Sequence, residues 1–180
     1  MLIGEGNGRF LAECLRRKVG GSITVVDLSR NMLSLLYSRV KHIERRTELN
    51  LVQVDFRAWD GQRQVFDGIV THFFLDLFKP DSQLTIVRAI GALSHTGTLW
   101  ANVDYRPTLE SPWHRCIDWL QYRFDHLVSG VEADHHYDPS SLIHAAGWIV
   151  RDERLFRGGS VVAQLFGRSP ARYDEVFREL

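Results

Sequence analysis

The chain has 180 residues, enough for one domain with a substantial core. Lys+Arg and Asp+Glu both number 22, so no net basic field attracts a nucleic-acid backbone. No apolar run approaches the roughly 20 residues of a membrane span and no secretory signal precedes the first strand, so a soluble cytoplasmic protein is expected.

The first stretch, Leu2-Ile3-Gly4-Glu5-Gly6-Asn7-Gly8-Arg9-Phe10-Leu11, reads as a strand end, a turn with three alternating glycines and a helix start. Glycine suits a sharp bend whose backbone a ligand touches. The helix's free N–H groups and positive dipole end are then expected to face a negative group. The helix carries apolar residues at 11, 14, 15 and 19 and stops at Gly20-Gly21. Residues 22–27 form a second strand ending in Asp27, 19 positions after Gly8. A carboxylate there suits the paired hydroxyls of a ribose, so the two features together predict a nucleoside-containing ligand.

Ser29 is the expected N-cap of a longer helix with Leu33, Leu36, Val40 and Ile43 on one face. Residues 49–54 form the third strand, followed by Asp55 and Phe56. Asp55 either caps a turn or accepts a hydrogen bond from a base amino group. Uninterrupted alternation of strand and helix predicts a parallel sheet with helices on both faces. The fourth strand and its exit run from Phe66 to Asp76, Pro80 opens a helix with Leu84, Val87, Ile90 and Leu93 behind it, and 97–104 is the fifth strand. Beyond it, Trp113, Ile117, Leu120, Phe124 and Leu127 form one helical stripe with Trp119 and Tyr122 off it. This predicts a helical cap over 106–137 that walls a pocket or pairs two copies of the chain. A short helix at 140–146, a strand from Gly147, a turn at 156–160 and a last strand at 161–167 complete one domain over 1–180. Cys14 and Cys116 fall on apolar helical faces, as buried free thiols do. Asp134-His135-His136-Tyr137-Asp138 lacks metal-ligand spacing, and a polar loop is expected there.

The Gly-x-Gly-x-Gly turn, with Val25-Val26-Asp27-Leu28-Ser29-Arg30-Asn31-Met32-Leu33, resembles the S-adenosylmethionine site of class I methyltransferases. A dinucleotide fingerprint needs glycine where Arg9 stands. The resemblance implies a doubly wound, mostly parallel, seven-stranded sheet closed by a C-terminal antiparallel hairpin. It also implies cofactor contacts at Gly4, Glu5, Gly6, Gly8, Asp27, Leu28, Asp55, Phe56 and Thr71, with adenine bound by the Asp55 carboxylate and the Phe56 N–H and faced by Leu28. The family commonly has an acidic residue where this chain has Leu2, and Glu5 is the candidate substitute. In that family the first strand follows an N-terminal helical segment that helps cover the site. Here only Met1, Leu2 and Ile3 precede the turn, so a shortened start is expected.

A sulfonium methyl is already electrophilic, so alignment is the main requirement and a general base is needed only for a protonated, weakly acidic nucleophile. Base candidates are His72, Asp76, Asp104 and Tyr105, with His114 on the cap. His72 leads because its ordinary pKa is near neutrality, although it also suits a wall residue. The expected reaction is methyl transfer to a small molecule, with nucleic acid disfavoured and a homodimer allowed. The alternatives are a methyltransferase-like module that binds S-adenosylmethionine or a protein without turnover, and a nicotinamide-dependent oxidoreductase.

Overall fold

The computed structural model describes residues 1–44, 46–61, 64–106 and 137–168. Among them, seven strands form one sheet: β1 (Leu2–Ile3), β2 (Ser22–Asp27), β3 (Glu48–Gln53), β4 (Phe66–His72), β5 (Ser94–Tyr105), β6 (Trp148–Phe156) and β7 (Val161–Arg168). Their order is β3-β2-β1-β4-β5-β7-β6. Pairs β3–β2, β2–β1, β1–β4 and β4–β5 are parallel; β7 runs antiparallel to β5 and β6. The helices are α1 (Arg9–Arg16), α2 (Arg30–Val40), α3 (Pro80–Ala92) and α4 (Ser140–Ala145). This is the doubly wound sheet with a terminal hairpin that the alternation and the resemblance predict.

Two apolar layers sandwich the sheet, because successive side chains on a strand face opposite ways. Leu2 and Val25 join Leu11 and Leu15 of α1 and Leu33, Leu36 and Val40 of α2 on one side. Ile3, Val26 and Ile69 join Ile86, Val87 and Ile90 of α3 and Ile143 of α4 on the other. That second layer continues into Trp100, which packs at 5.3 Å from Trp148 and 5.4 Å from Phe166. These rings tie β6 and β7 to the parallel strands.

Local signals set the helix starts. Ser29 caps α2 by accepting the Met32 N–H at 3.3 Å, and Pro80 occupies the first turn of α3. Ile86 replaces Leu84 on the buried stripe of α3, and Ile43 lies beyond the end of α2. The helix–strand alternation does lapse once. Between β3 and β4 the described residues hold no α-helix, only 3₁₀ structure at Phe56–Ala58 and at Gly61, since no apolar helical stripe lies between them. Cys14 is half-buried on α1. The expected cap, with Trp113, His114, Cys116, Trp119 and Tyr122, lies outside the described residues, as does Asp134-His135-His136.

The strand order reverses at β1 and β4, where α1 leaves on one face and the β4 connection on the other. In open parallel sheets a crevice forms at such a point, outside the carboxyl ends of the strands.

Candidate active site

The chain leaves β1 through Gly4 and Gly6, whose φ angles are +63° and +65°. A Cβ on Gly4 would stand 2.4 Å from Phe74 Cδ2, whereas one on Gly6 would meet nothing within 4 Å. The first glycine therefore lets an aromatic wall close onto the turn. The second leaves open the space over its backbone, as a bound ligand requires.

Gly8 is the N-cap of α1 and offers no side-chain cap. Glu5 supplies one from inside the turn: its Oε1 accepts the Phe10 N–H at 2.9 Å and the Leu11 N–H at 3.0 Å. Burial nevertheless holds the Glu5 carboxyl above its ordinary pKa, against the pull of those two N–H groups. This corrects two expectations. Two of the first-turn N–H groups face a carboxylate of the chain itself rather than a ligand, and Glu5 is committed to that cap rather than standing in for the acidic residue missing at Leu2.

Asp27 closes β2 opposite the turn. Its Oδ1 accepts the Ser29 N–H at 2.8 Å and its Oδ2 accepts the Gly6 N–H at 3.4 Å. Burial raises its pKa, and those N–H groups oppose the rise. A carboxylate offers about four lone-pair positions, so two remain for donors in the crevice. The crevice itself is a cavity of about 540 Å³ lined by Gly4, Gly6, Asp27, Leu28, Phe56 and Phe74, among others. That volume lies within the roughly 300–1,000 Å³ typical of small-molecule sites. Leu28, 62% exposed, stands at its rim, while Phe56, Phe74 and Phe78 form an aromatic wall with ring centroids 5.1–6.5 Å apart.

Asp55 also lines this cavity, but its carboxylate is engaged. Oδ1 accepts the Arg57 N–H at 3.0 Å, and Arg57 Nη2 stands 2.6 Å from Oδ2. The guanidinium holds the Asp55 carboxyl below its ordinary pKa and lies 5.3 Å over the Phe78 ring. The turn-capping alternative is the one observed, and the carboxylate's lone pairs are directed at Arg57 rather than at a base.

A second hollow, about 390 Å³ and more open, lies across the glycine turn and is lined by Glu5, Asn7, Arg9, Phe10, His72 and Phe73 with Val103. His72 ends β4 there, with the Phe10 ring edge-on at 4.6 Å. Burial lowers its pKa, so the imidazole is neutral at neutral pH and able to accept a proton. Tyr105 is half-buried at the end of β5, its ring 5.0 Å from that of Phe73.

The other candidates face the opposite side of the sheet. Thr71 is fully buried: its hydroxyl donates to Asn102 Oδ1 at 2.7 Å and accepts the Trp100 Nε1–H at 2.8 Å. This is a core relay, which removes the Thr71 side chain from the cofactor set. Asp76 and Asp104 are 4% and 1% exposed and lie beneath the β4 exit, so neither carboxyl reaches the hollow beside His72. Among the described residues, no three His, Cys, Asp or Glu side chains gather as a metal site. Reading the sequence missed Phe74, Phe78, Met32 and Arg57 as cavity residues; the aromatic run Phe73-Phe74 at a strand exit was the available signal.

Taken together, a cradle open at Gly6, a carboxylate with acceptor capacity left and an apolar wall fit a nucleoside with free ribose hydroxyls. Residues 1–97 match the family profile described as "Methyltransferase domain". No curated protein matches the chain in sequence. Among solved structures, the fold is similar to a SAM-dependent methyltransferase from Methanosarcina mazei, with TM-score 0.71 and 15% identity, covering 93% of this chain and 90% of that one. Mitomycin 7-O-methyltransferase gives 0.70 and 18%, with 93% of this chain covering 48% of that one. The N-methyltransferase NodS from Bradyrhizobium japonicum gives 0.65 and 13%, covering 93% and 83%. At these identities the likeness to each structure is one of fold.

Proposed function

The chain belongs to the methyltransferase-domain family, and we propose that it transfers a methyl group from S-adenosylmethionine to a small-molecule acceptor. The nucleoside occupies the larger cavity and the acceptor the hollow beside His72. The observation that carries this reading is Asp27: its carboxylate is anchored by two backbone N–H groups yet keeps lone pairs toward the cavity, where ribose hydroxyls would donate.

When bound, S-adenosylmethionine supplies an electrophilic methyl group on a sulfonium. The chain's own residues supply position and dryness. Gly6 allows close approach, Asp27 orients the ribose, and Leu28, Phe56, Phe74 and Phe78 cover apolar faces and exclude water. Good alignment alone provides up to about 7–11 kcal/mol of barrier reduction in favourable cases. Phe10 and Phe73 suit the second hollow to a flat or apolar acceptor of modest size. His72, neutral through burial and steadied by the Phe10 ring edge, takes the proton from an acceptor hydroxyl or ammonium at its free ring nitrogen.

Isothermal titration with S-adenosylmethionine, S-adenosylhomocysteine and NADH tests the reading. Binding of the two sulfur ligands and not NADH supports it. Binding of NADH alone supports the nicotinamide alternative. A cooperatively folded chain that binds none of them refutes the site and favours an interaction module.

A further inference from the structure

The hollow beside His72 combines uncovered aromatic rings with a cation. Phe10 and Phe73 border it with 38% and 43% exposure, so two large apolar faces stand open there. Val103 of β5 adds to the apolar lining. A flat ring is the ligand that covers such faces best, because aromatic pairs gain from offset-stacked and edge-on contact.

The cation is Arg9, at the first position of α1. That place opposes it: the amino end of a helix carries partial positive charge, which favours acidic side chains and disfavours basic ones. The first turn of α1 holds no acidic side chain to offset it. Arg16 and Arg17, at the far end of the same helix, pair with Glu13 at 3.7 Å and 2.7 Å. The Arg9 guanidinium, by contrast, makes no ion pair or hydrogen bond among the described residues. Glu5, the other charged side chain on the hollow, turns its Oε1 to the Phe10 and Leu11 N–H groups. Arg39 of α2 brings a second guanidinium behind the turn, its Nε donating to the Asn7 carbonyl at 2.8 Å. The rim is thus locally positive in a chain whose formal net charge is zero.

A guanidinium matches a carboxylate, which it meets through two parallel N–H···O bonds. We propose that the acceptor is a planar organic anion, an aromatic carboxylic acid bearing a hydroxyl or amine, whose ring packs against Phe10 and Phe73 and whose carboxylate pairs with Arg9. The inference rests on the reading of this hollow as the acceptor site and makes Arg9 the residue that selects acceptor charge. His72 borders the same hollow, and neither of its ring nitrogens has a hydrogen-bond partner among the described residues. The two ends of the acceptor are thereby told apart: the carboxylate goes to Arg9 and the hydroxyl or amine to His72. A neutral acceptor leaves Arg9 unpaired, and a cationic one meets repulsion.

Matched probes separate charge from shape: para-hydroxybenzoate against para-hydroxybenzamide on one ring, and a hydroxynaphthoate against its amide on two. Each is titrated into the chain with and without saturating S-adenosylhomocysteine, at low salt. The acids should bind at least about fivefold tighter than their amides. Arg9→Gln should bring each acid to the affinity of its amide. Arg9→Lys keeps the charge without the planar fork and should retain only part of the preference. Arg9 is exposed, so neither substitution disturbs the core. Acids and amides that bind alike, an acid preference that survives in Arg9→Gln, or no binding by any of the four probes overturns the proposal. An acid preference abolished by Arg9→Gln, in a chain that binds no S-adenosylhomocysteine, upholds the anion site at Arg9 and refutes the methyl-acceptor reading of the hollow instead.

Discussion

Replacing Gly6 with alanine separates what the turn does for folding from what it does for a ligand. Gly6 has φ +65°, and the added Cβ would meet no atom within 4 Å. The folded chain therefore bears only the backbone term, about 1–2 kcal/mol for a left-handed non-glycine residue. For a chain of this size that lowers the Tm by about 2–8 °C. The same methyl group, however, occupies the open space that the cavity presents to a ligand. Affinity for S-adenosylhomocysteine should fall at least about tenfold, or about 1.4 kcal/mol. Gly21→Ala is the internal control. Gly21 has φ +84°, is exposed and likewise has nothing within 4 Å of a Cβ, but it lies at the amino end of β2, about 20 Å of strand from the crevice. Thermal unfolding and calorimetric titration of both variants give the comparison: similar loss of Tm, with loss of affinity confined to Gly6→Ala. Equal affinity in Gly6→Ala and wild type would refute the assignment of the turn as a ligand cradle.

Asp27→Ala should weaken S-adenosylhomocysteine binding at least tenfold, through loss of charged hydrogen bonds typically of about 1.5–3 kcal/mol, while the chain stays folded; unchanged affinity by titration contradicts the ribose role. His72→Gln should lower kcat by about 10²–10⁴ and leave cofactor affinity alone if the acceptor must lose a proton. Because burial depresses the His72 pKa, the wild-type rate should hold its plateau to below the ordinary histidine pKa as pH falls, and a plateau lost above it argues against the base. Thr71→Val should cost about 2–5 kcal/mol in denaturant unfolding by orphaning the Trp100 indole N–H and the Asn102 carbonyl, with affinity unchanged; weakened binding in a stable variant restores Thr71 to the cofactor set. Asp104 binds its proton more tightly folded than unfolded. Its linkage term therefore lowers stability as pH rises from about 4, the ordinary carboxylate value, toward the folded pKa, at up to about 1.4 kcal/mol per pH unit, and Asp104→Asn should remove that slope.

The parts of the fold written in local sequence were the legible ones. The run Ser22–Asp27 is bounded by Gly21 and the helix cap Ser29, and its strand limits match the reading residue for residue. The Arg157–Gly159 turn between two β-rich runs marks the hairpin in the same way. The crossover from β3 to β4 was misread as helical because strand and helix alternate everywhere else in the parallel part. Side-chain direction was less legible still. β4 is covered on both faces, so polarity does not mark which residues point where, and Thr71 was assigned to the crevice by position alone. Alternation from the buried Ile69 would have turned Thr71 to the α3 side and His72 to the other. Glu5 and Asp55 were misjudged for a related reason. Each carboxylate sits near enough to the crevice to serve it, yet backbone N–H groups or Arg57, at most six residues away in the chain, reach it first.

Those local captures leave a consistent division of labour around the crevice. Glu5 and Asp55 stabilise the first turn of α1 and the 3₁₀ turn after β3, fixing the two flanks of the cavity. Asp27 lines the larger cavity, where Glu5 does not, and unlike Asp55 it has no guanidinium on it; two backbone N–H groups hold it, one of them at 3.4 Å, and it keeps acceptor capacity there. Asp104 acts one step further back, through the Phe74 N–H, on the aromatic wall. A ligand that donates from paired hydroxyls meets one acceptor in a rigid frame. A change at Asp27 should therefore appear in affinity, one at Asp55 chiefly in stability, and one at Asp104 in how stability depends on pH.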